Sequence, residues 1–335
     1  MGILLEELNR IGVIVIKYLQ TVFPGGDWFF LGVSRASDPL SVFLYVVPVV
    51  AGLQVSLGAD MLVATALAEW LNTLLKWLLM EHRPYWWVRE TALYGGPERA
   101  PSLRQTPLTC ETGPGCPSGH VMGYAAVAYL LASSLSEGVP RSLARGVWAL
   151  YWGTVLLVAL SRLYVATHFP HQCALGALGG LAVAWLLAGR DWHRTPRRAA
   201  LLGALGLCLV PVAAYWLQKL LGVDPQWSVR LAFKWCEHPE FLHVNTTPLF
   251  SLVRSCGALV GVALCCPLVF RLRQSGGRAV RLIGSLLVAA IFQYATQLVP
   301  THDAALFYTV QLILHVAQPC LLLLAAPRIA SLLRA

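Results

Sequence analysis

Apolar runs long enough to cross a bilayer, roughly 17 to 25 residues, recur along the whole length of this 335-residue chain. Nothing constrains its fold more, because a lipid-facing backbone must satisfy its own polar groups within helices or a closed barrel. Continuous runs of this length, rather than short alternating ones, read as helices. Nine candidate spans fall near 36–56, 60–80, 118–136, 147–167, 171–189, 199–221, 249–270, 281–299 and 305–327. The chain is 57% hydrophobic and 12% charged, about half the charged share of a soluble domain. The expectation is an all-α, polytopic membrane helix bundle of about nine transmembrane helices in a single domain, residues 1–335. Within it, 1–35 forms an amphipathic segment lying on the membrane surface, 36–189 carries the polar motifs, and 190–335 adds accessory helices with a loop at 222–248.

The net charge of +9 does not point to nucleic acid, because the basic residues fall between spans rather than in one stripe with interleaved aromatics. Arg141 and Arg145 follow the third span, Arg190, Arg194, Arg197 and Arg198 the fifth, and Arg271, Arg273, Arg278 and Arg281 the seventh, while Arg334 closes the chain. Every second loop is basic. The positive-inside preference then places the C-terminus in the cytoplasm. The N-terminus and the loops at 81–117, 165–171 and 222–248 fall on the far side. Most cysteines sit inside apolar runs, where a thiol acts as a small hydrophobe. Cys110 and Cys116 lie close together in the first far-side loop, and an oxidising compartment allows a disulfide there. No paired C-x2-C spacing suggests a metal, and Asn245-Thr246-Thr247 is a glycosylation sequon with Pro248 directly behind it.

Three polar fragments interrupt the apolar pattern on that far side. In KWLLMEHRP, Lys76 and Arg83 are seven residues apart, about two helical turns, so both cations can point the same way before Pro84 discourages helix. Within CETGPGCPSGHVMG, residues 110–123, Pro117 and Ser118 suit a helix start, and Gly119 allows close approach to the backbone. Free N–H groups there bind anions, and His120 titrates near neutral pH. In SRLYVATHFPHQ, Arg162 lies inside an apolar span, where an unpaired charge is costly, and His168 follows near the helix mouth. Each fragment alone has an ordinary structural explanation: snorkelling cations, a helix cap, a packed histidine. Together they bring three cations, a helix N-terminus and two imidazoles to one face. Cationic donors match the oxygens of a transferring phosphoryl group, and two imidazoles can divide nucleophilic and acid–base roles. The scheme needs no metal or other cofactor.

The order K-x6-R-P, P-S-G-H, S-R-x5-H resembles the signature of the type 2 phosphatidic acid phosphatase superfamily, which includes vanadium-dependent haloperoxidases. EWLNTLLKW (69–77), HRPYWWV (82–88), CETGPG (110–115), HFPHQ (168–172) and LAFKWCEHPEFLHV (231–244) are similar to the glucose-6-phosphatase catalytic subunits. LAFKWCE and Pro319-Cys320 look most like the ubiquitous member of that family, as does the lack of a terminal dilysine, whereas YLQ (18–20) and HRPYWWV look like the liver form.

The resemblance implies hydrolysis of glucose 6-phosphate, or a close sugar phosphate, in the endoplasmic reticulum lumen through a phosphohistidine. His168 would be the nucleophile and His120 the acid. Lys76, Arg83, Ser118, Gly119 and Arg162 would bind phosphate. Many superfamily members have an Asp four residues after the nucleophile, and this chain has Gln172, so the orienting group is open. Asp38 and Glu111 are candidates for it, with His171 and Gln172 as further orienting or sugar-contacting groups. Segment 222–248, with Trp227, Trp235, Glu237, His238, His243 and Asn245, either covers the site and reads the sugar or packs the bundle. Partners implied are the sugar phosphate, the bilayer and a glucose-6-phosphate transporter. The rival readings are a lipid phosphate phosphatase using the same site and a phosphate-ester transporter that does not hydrolyse.

Overall fold

A computed structural model describes residues 2–190, 192–242, 246–266, 268, 277–325 and 327. Asn245, His243, Arg271, Arg273 and Arg334, weighed above, lie outside the described residues. The described residues form helices with no strand between them: α1 (Gly2–Val22), α2 (Asp27–Ala36), α3 (Pro39–Leu53), α4 (Val55–Leu79), α5 (Pro84–Glu90), α6 (Gly119–Ser136) and α7 (Arg141–Tyr164). They continue with α8 (Pro170–Leu187), α9 (Arg197–Leu220), α10 (Trp227–Trp235), α11 (Pro248–Cys265), α12 (Arg278–Gln297) and α13 (Ala304–Cys320).

Among the described residues, seven helices rather than nine are long and apolar enough to cross a membrane: the one beginning at Val55, and α7, α8, α9, α11, α12 and α13. The two shortfalls have different causes. The expected first span is a pair, α2 and α3, bent by 55° at Ser37–Asp38, where Asp38 caps the new helix by accepting from Leu40 N–H; counted as one span, it would make eight. The expected third span, α6, is helical over 18 residues. It carries His120 and several Gly, Tyr and Ser residues, and it is largely packed against protein rather than lipid, so it has less need of a fully apolar surface.

Two large apolar clusters, with a small third one around Trp77, Leu252 and Cys256, hold the bundle. One is aliphatic, built from α3, α4, α6 and α11 with Leu62, Ala64, Val127, Leu259 and Val262 at its centre. The other is aromatic and lies beneath the polar loops, where Trp86, Trp87, Tyr151, Tyr164 and Phe169 are buried. Helix α1 seats Val13, Ile16 and Leu19 on this second cluster, and its Gln20 donates to the carbonyls of Tyr164 and Arg104. The amphipathic helix is therefore docked on the protein, with only its other face, including Ile3, Ile14 and Tyr18, exposed.

The cysteine expectation is corrected. Cys110 pairs with Cys236, 126 residues away, and Cys116 is a free, buried thiol. The bond ties segment 222–248 to the loop before α6. Most of that segment packs the bundle: Trp227 sits edge-on to His82 and Trp86, Ser228 donates to the Thr112 carbonyl, and Lys234 pairs with Glu90, while Thr246 lines the cavity described below. Trp227 and Trp235 are both held against α5.

Candidate active site

Helix α4 ends at Leu79 because Met80 enters the left-handed region at φ 51°, a conformation that costs a non-glycine residue energy and clusters at functional sites. The turn swings Arg83 away from the helix axis, and α5 starts anew at Pro84. Lys76 and Arg83 thus reach the same place from two elements, not from one continued helix. A second left-handed residue, Ala166 at φ 55°, ends α7. There Thr167 returns both its N–H and its hydroxyl to the Arg162 carbonyl, which fixes His168 relative to Arg162.

Arg83 is fully buried. Its Nε donates to Gly113 O at 2.6 Å, Nη2 to Pro114 O at 3.1 Å, and Nη1 lies 3.3 Å from His168 Nε2. His168 Nδ1 stands 2.7 Å from the Gly115 carbonyl. A carbonyl can only accept, so Nδ1 carries the proton and Nε2 presents its lone pair. The group that orients this imidazole is therefore a backbone oxygen, and neither Asp38, Glu111, His171 nor the Gln172 side chain plays that part.

Gln172 acts one step behind. It donates to the His82 carbonyl and to Glu81, and accepts from Phe169 N–H; its own carbonyl accepts from Ser118 N–H. Gly115 N–H in turn donates to Glu81 O at 2.8 Å. A Cβ on Gly115 would lie 2.4 Å from His82 O and 2.8 Å from Gln172 Nε2, so only glycine lets the loop lie this close. His171 binds Glu81 at 2.8 Å and does not line the cavity. Ser118 is the N-cap of α6, yet its hydroxyl makes no cap bond. Gly119 faces Asn72, whose Oδ1 would be 3.1 Å from an added Cβ, and Asn72 Nδ2 donates to Pro117 O.

Glu111 sits at the centre. Its carboxylate pairs with Arg83 at 2.9 Å and with Arg162, and lies 3.8 Å from His120 Nδ1 and 4.0 Å from His168 Nε2. Burial would push this carboxyl up, but the Arg83 and Arg162 guanidiniums hold it well below the usual range. For His168 burial comes first and the Arg83 charge adds to it, so the imidazole is held well below its usual value and stays neutral. Lys76, Arg83 and Arg162 against one carboxylate leave two positive charges, the complement of a phosphate monoester dianion. Among the described residues the buried Arg162 Nε and Ser118 Oγ meet no nitrogen or oxygen partner, which marks them as open to a ligand. Arg162 Nη1 donates to Ser34 at 2.5 Å.

A cavity of about 200 Å³ opens onto this cluster. Lys76, Glu111, His120 and Arg162 line it on one side, with Asp38, whose carboxylate is 3.6 Å from His120 Nε2. Glu69, Asn72 and Arg254 line it on another. Glu69 and Arg254 were not anticipated from sequence. The His168 imidazole and Arg83 lie behind Glu111. No group of three or more His, Cys, Asp or Glu side chains among the described residues is placed to hold a metal.

The PAP2 superfamily model matches residues 57–196, the stretch that carries all three polar fragments. Glucose-6-phosphatase 2 of Homo sapiens is 36% identical over 327 residues, covering 91% of this chain and 90% of the relative. Glucose-6-phosphatase catalytic subunit 1 of Rattus norvegicus is 38% identical over 271 residues, 78% of this chain and 75% of the relative. Glucose-6-phosphatase 3 of Mus musculus is 33% identical over 333 residues, 96% and 95% of the two chains. These identities do not single out one member. No solved structure matches the chain. A fold without strands, a cation and histidine cluster inside the matched segment, and relatives aligned over nearly the full length make one conclusion: the chain is a multi-pass membrane protein that belongs to the glucose-6-phosphatase catalytic subunit family within the PAP2 superfamily.

Proposed function

We propose that this protein is a phosphoric monoester hydrolase that converts glucose 6-phosphate to glucose and inorganic phosphate through a phosphohistidine. One observation carries the residue assignment: Gly115 O holds the Nδ1 proton of His168 and leaves Nε2, beside Arg83, as the nucleophilic lone pair. Lys76, Arg162 and the Ser118 hydroxyl receive the phosphoryl oxygens at the N-terminus of α6. Gly119 admits Asn72 beneath the turn. The phosphate competes with the Glu111 carboxylate for the two guanidiniums and so reaches His168.

Nε2 then bonds to phosphorus as the bond from phosphorus to the sugar oxygen breaks. His120 protonates the departing oxygen, and Asp38 stabilises its charged form. In the second step water attacks phosphorus, His120 takes its proton, and the bond to Nε2 breaks. The accessory residues 190–335 brace the core, with 222–248 covering its outer face.

The family resemblance and the loop charges support a location in the endoplasmic reticulum membrane. The N-terminus and active site would be lumenal and the C-terminus cytoplasmic. The Cys110–Cys236 disulfide, on the same side as the site, agrees with an oxidising lumen. A lumenal site needs its substrate carried across the membrane, and a glucose-6-phosphate transporter is the partner that placement implies.

The test is phosphate release by purified protein in detergent, without divalent metal, from glucose 6-phosphate and from lysophosphatidate. Wild type should cleave the sugar phosphate and trap labelled phosphate in an acid-labile, base-stable form. His168→Ala should lose both, and His120→Ala should slow turnover by about 10²- to 10⁴-fold. Cleavage of the lipid alone would move the protein to a lipid phosphatase, and well-folded wild type that cleaves neither would leave only phosphate-ester binding.

A further inference from the structure

On α4, Glu69, Asn72 and Lys76 follow one another at intervals of three and four, so they share a helix face. All three line the cavity. Lys76 stands at its phosphate end. Glu69 is seven residues deeper, about 10 Å along the axis, which is comparable to the reach of a hexose 6-phosphate from phosphorus to its far ring hydroxyls. Opposite Glu69, helix α11 supplies Arg254, whose Nε donates to Glu69 Oε2 at 2.8 Å and whose Nη2 donates to Oε1. Both residues are buried, at 5% and 6% exposure. A lone buried charge of either sign would be prohibitive here, whereas this bidentate pair is neutral as a whole and geometrically fixed.

We infer that the Glu69–Arg254 pair is the specificity-determining wall of the cavity, where it reads the ring hydroxyls of a polyol phosphate. The assignment rests on the sugar-phosphatase reading above. A hydroxyl both donates and accepts, and the pair offers both complements: carboxylate lone pairs, and Arg254 Nη1, which makes no hydrogen bond among the described residues. The same wall rejects an acyl chain, because an apolar occupant would strip water from both charges and return no hydrogen bond. Arg254 lies outside the segment matched by the superfamily model, 57–196. The accessory helices thereby contribute substrate selection to a catalytic core that needs none of them for phosphoryl transfer.

The experiment measures kcat/KM for glucose 6-phosphate and for p-nitrophenyl phosphate, a monoester with no hydroxyls to read, in wild type, Glu69→Gln, Arg254→Gln and the double variant. Wild type should favour the sugar phosphate by about 100-fold, and each variant should cut that ratio roughly 10- to 100-fold, the worth of hydrogen bonds to charged groups. Damage to the fold lowers both rates and leaves the ratio alone, and a ratio unchanged in the variants would overturn the assignment.

A second arm uses wild type only. Among 2-, 3- and 4-deoxyglucose 6-phosphates, at least one should lose about tenfold or more in kcat/KM relative to glucose 6-phosphate, and three rates all equal to that of glucose 6-phosphate would overturn the wall as a hydroxyl reader. If wild type cleaves p-nitrophenyl phosphate but not glucose 6-phosphate, the sugar-phosphatase reading itself falls. That result is distinct from active, unselective wild type, which removes the wall alone.

Discussion

Two glycine seams run through this bundle, and they do different work. In the catalytic core, Gly176 and Gly180 of α8 press against α6, where an added Cβ would lie 2.6 Å from Ser118 O and 2.3 Å from Met122 O. In the accessory half, Gly257 and Gly261 of α11 press against α13, with an added Cβ 2.7 Å from His315 Cβ and 2.4 Å from Val316 O. Both pairs are spaced by four and both let helix backbones touch, the usual device for packing without a hydrophobic drive between lipid-solvated helices. The first seam ends under Ser118, which opens α6 beside the cation and histidine cluster. The second ends among His315, Gln311 and Gln318, all buried, and none of the three lines the cavity. Packing of the same kind is coupled to chemistry in one place and to stability in the other.

The largest effect should come from the core seam and the loop it supports. In Gly176→Ala the new methyl must displace the Ser118 carbonyl, which accepts the Met122 N–H of α6, and with it the helix N-terminus. Gly115→Ala must push apart His82 and Gln172 and so move the carbonyl that holds His168. A misplacement of about 1 Å costs roughly 10²-fold in rate. We expect kcat for glucose 6-phosphate to fall by at least that much in either variant, with folded protein recovered on size exclusion. Near-normal kcat in Gly115→Ala would refute the backbone orientation of His168.

Next comes Glu111→Gln. Glutamine keeps an acceptor oxygen but leaves Arg83, Arg162 and Lys76 without their counter-charge. Removing one partner of a buried pair costs about 3 to 5 kcal/mol, so thermal stability should drop. With the arginines less well fixed, kcat should fall about 10- to 100-fold. KM should not rise, because the competitor for the guanidiniums has lost its charge; a rise in KM with kcat intact would mean that Glu111 binds substrate instead. Gly261→Ala probes the other seam: overpacking typically costs about 1 to 3 kcal/mol. The melting temperature should fall while kcat/KM for p-nitrophenyl phosphate stays within about threefold of wild type. A large loss there would join the two halves into one functional unit.

The sequence made the side-chain chemistry legible and the long-range closure illegible. Lys76, Arg83, Ser118, Arg162 and His168 stand out because charged and polar residues are costly in apolar surroundings and fall in three compact fragments. The group that orients His168 could not be read, because a carbonyl oxygen is common to every residue and only the fold selects that of Gly115. Glu69 and Arg254 are 185 residues apart, and Cys110 and Cys236 are 126 apart. Nothing local marks either pair. The expected span count and the count of long apolar helices part where hydropathy is a poor guide: α6 is largely packed against protein, and the first apolar stretch is bent at the Asp38 cap.

The smallest expected effect, and the finest test of the core, is its pH dependence. The buried imidazole of His168, beside Arg83, is held well below its usual value. An unfolded chain takes up that proton below about pH 6.5 while the folded protein does not, so this group withdraws stability as pH falls from there toward its folded value. Glu111 is also lowered, so its contribution is complete above about pH 4.3 and is lost only as pH falls on toward its folded value. The histidine window opens first as pH falls, and the glutamate window opens below it. In kcat/KM, which reports the free enzyme, the acid limb belonging to His168 should lie below pH 6.5 once the substrate's own second ionisation, near 6, is divided out. Glu111→Gln removes the negative charge nearest Nε2 and should move that limb further toward acid. A limb at or above 6.5, or one shifted upward in Glu111→Gln, would show that the imidazole rests protonated in the empty site, and attack would then need a proton to leave Nε2 first.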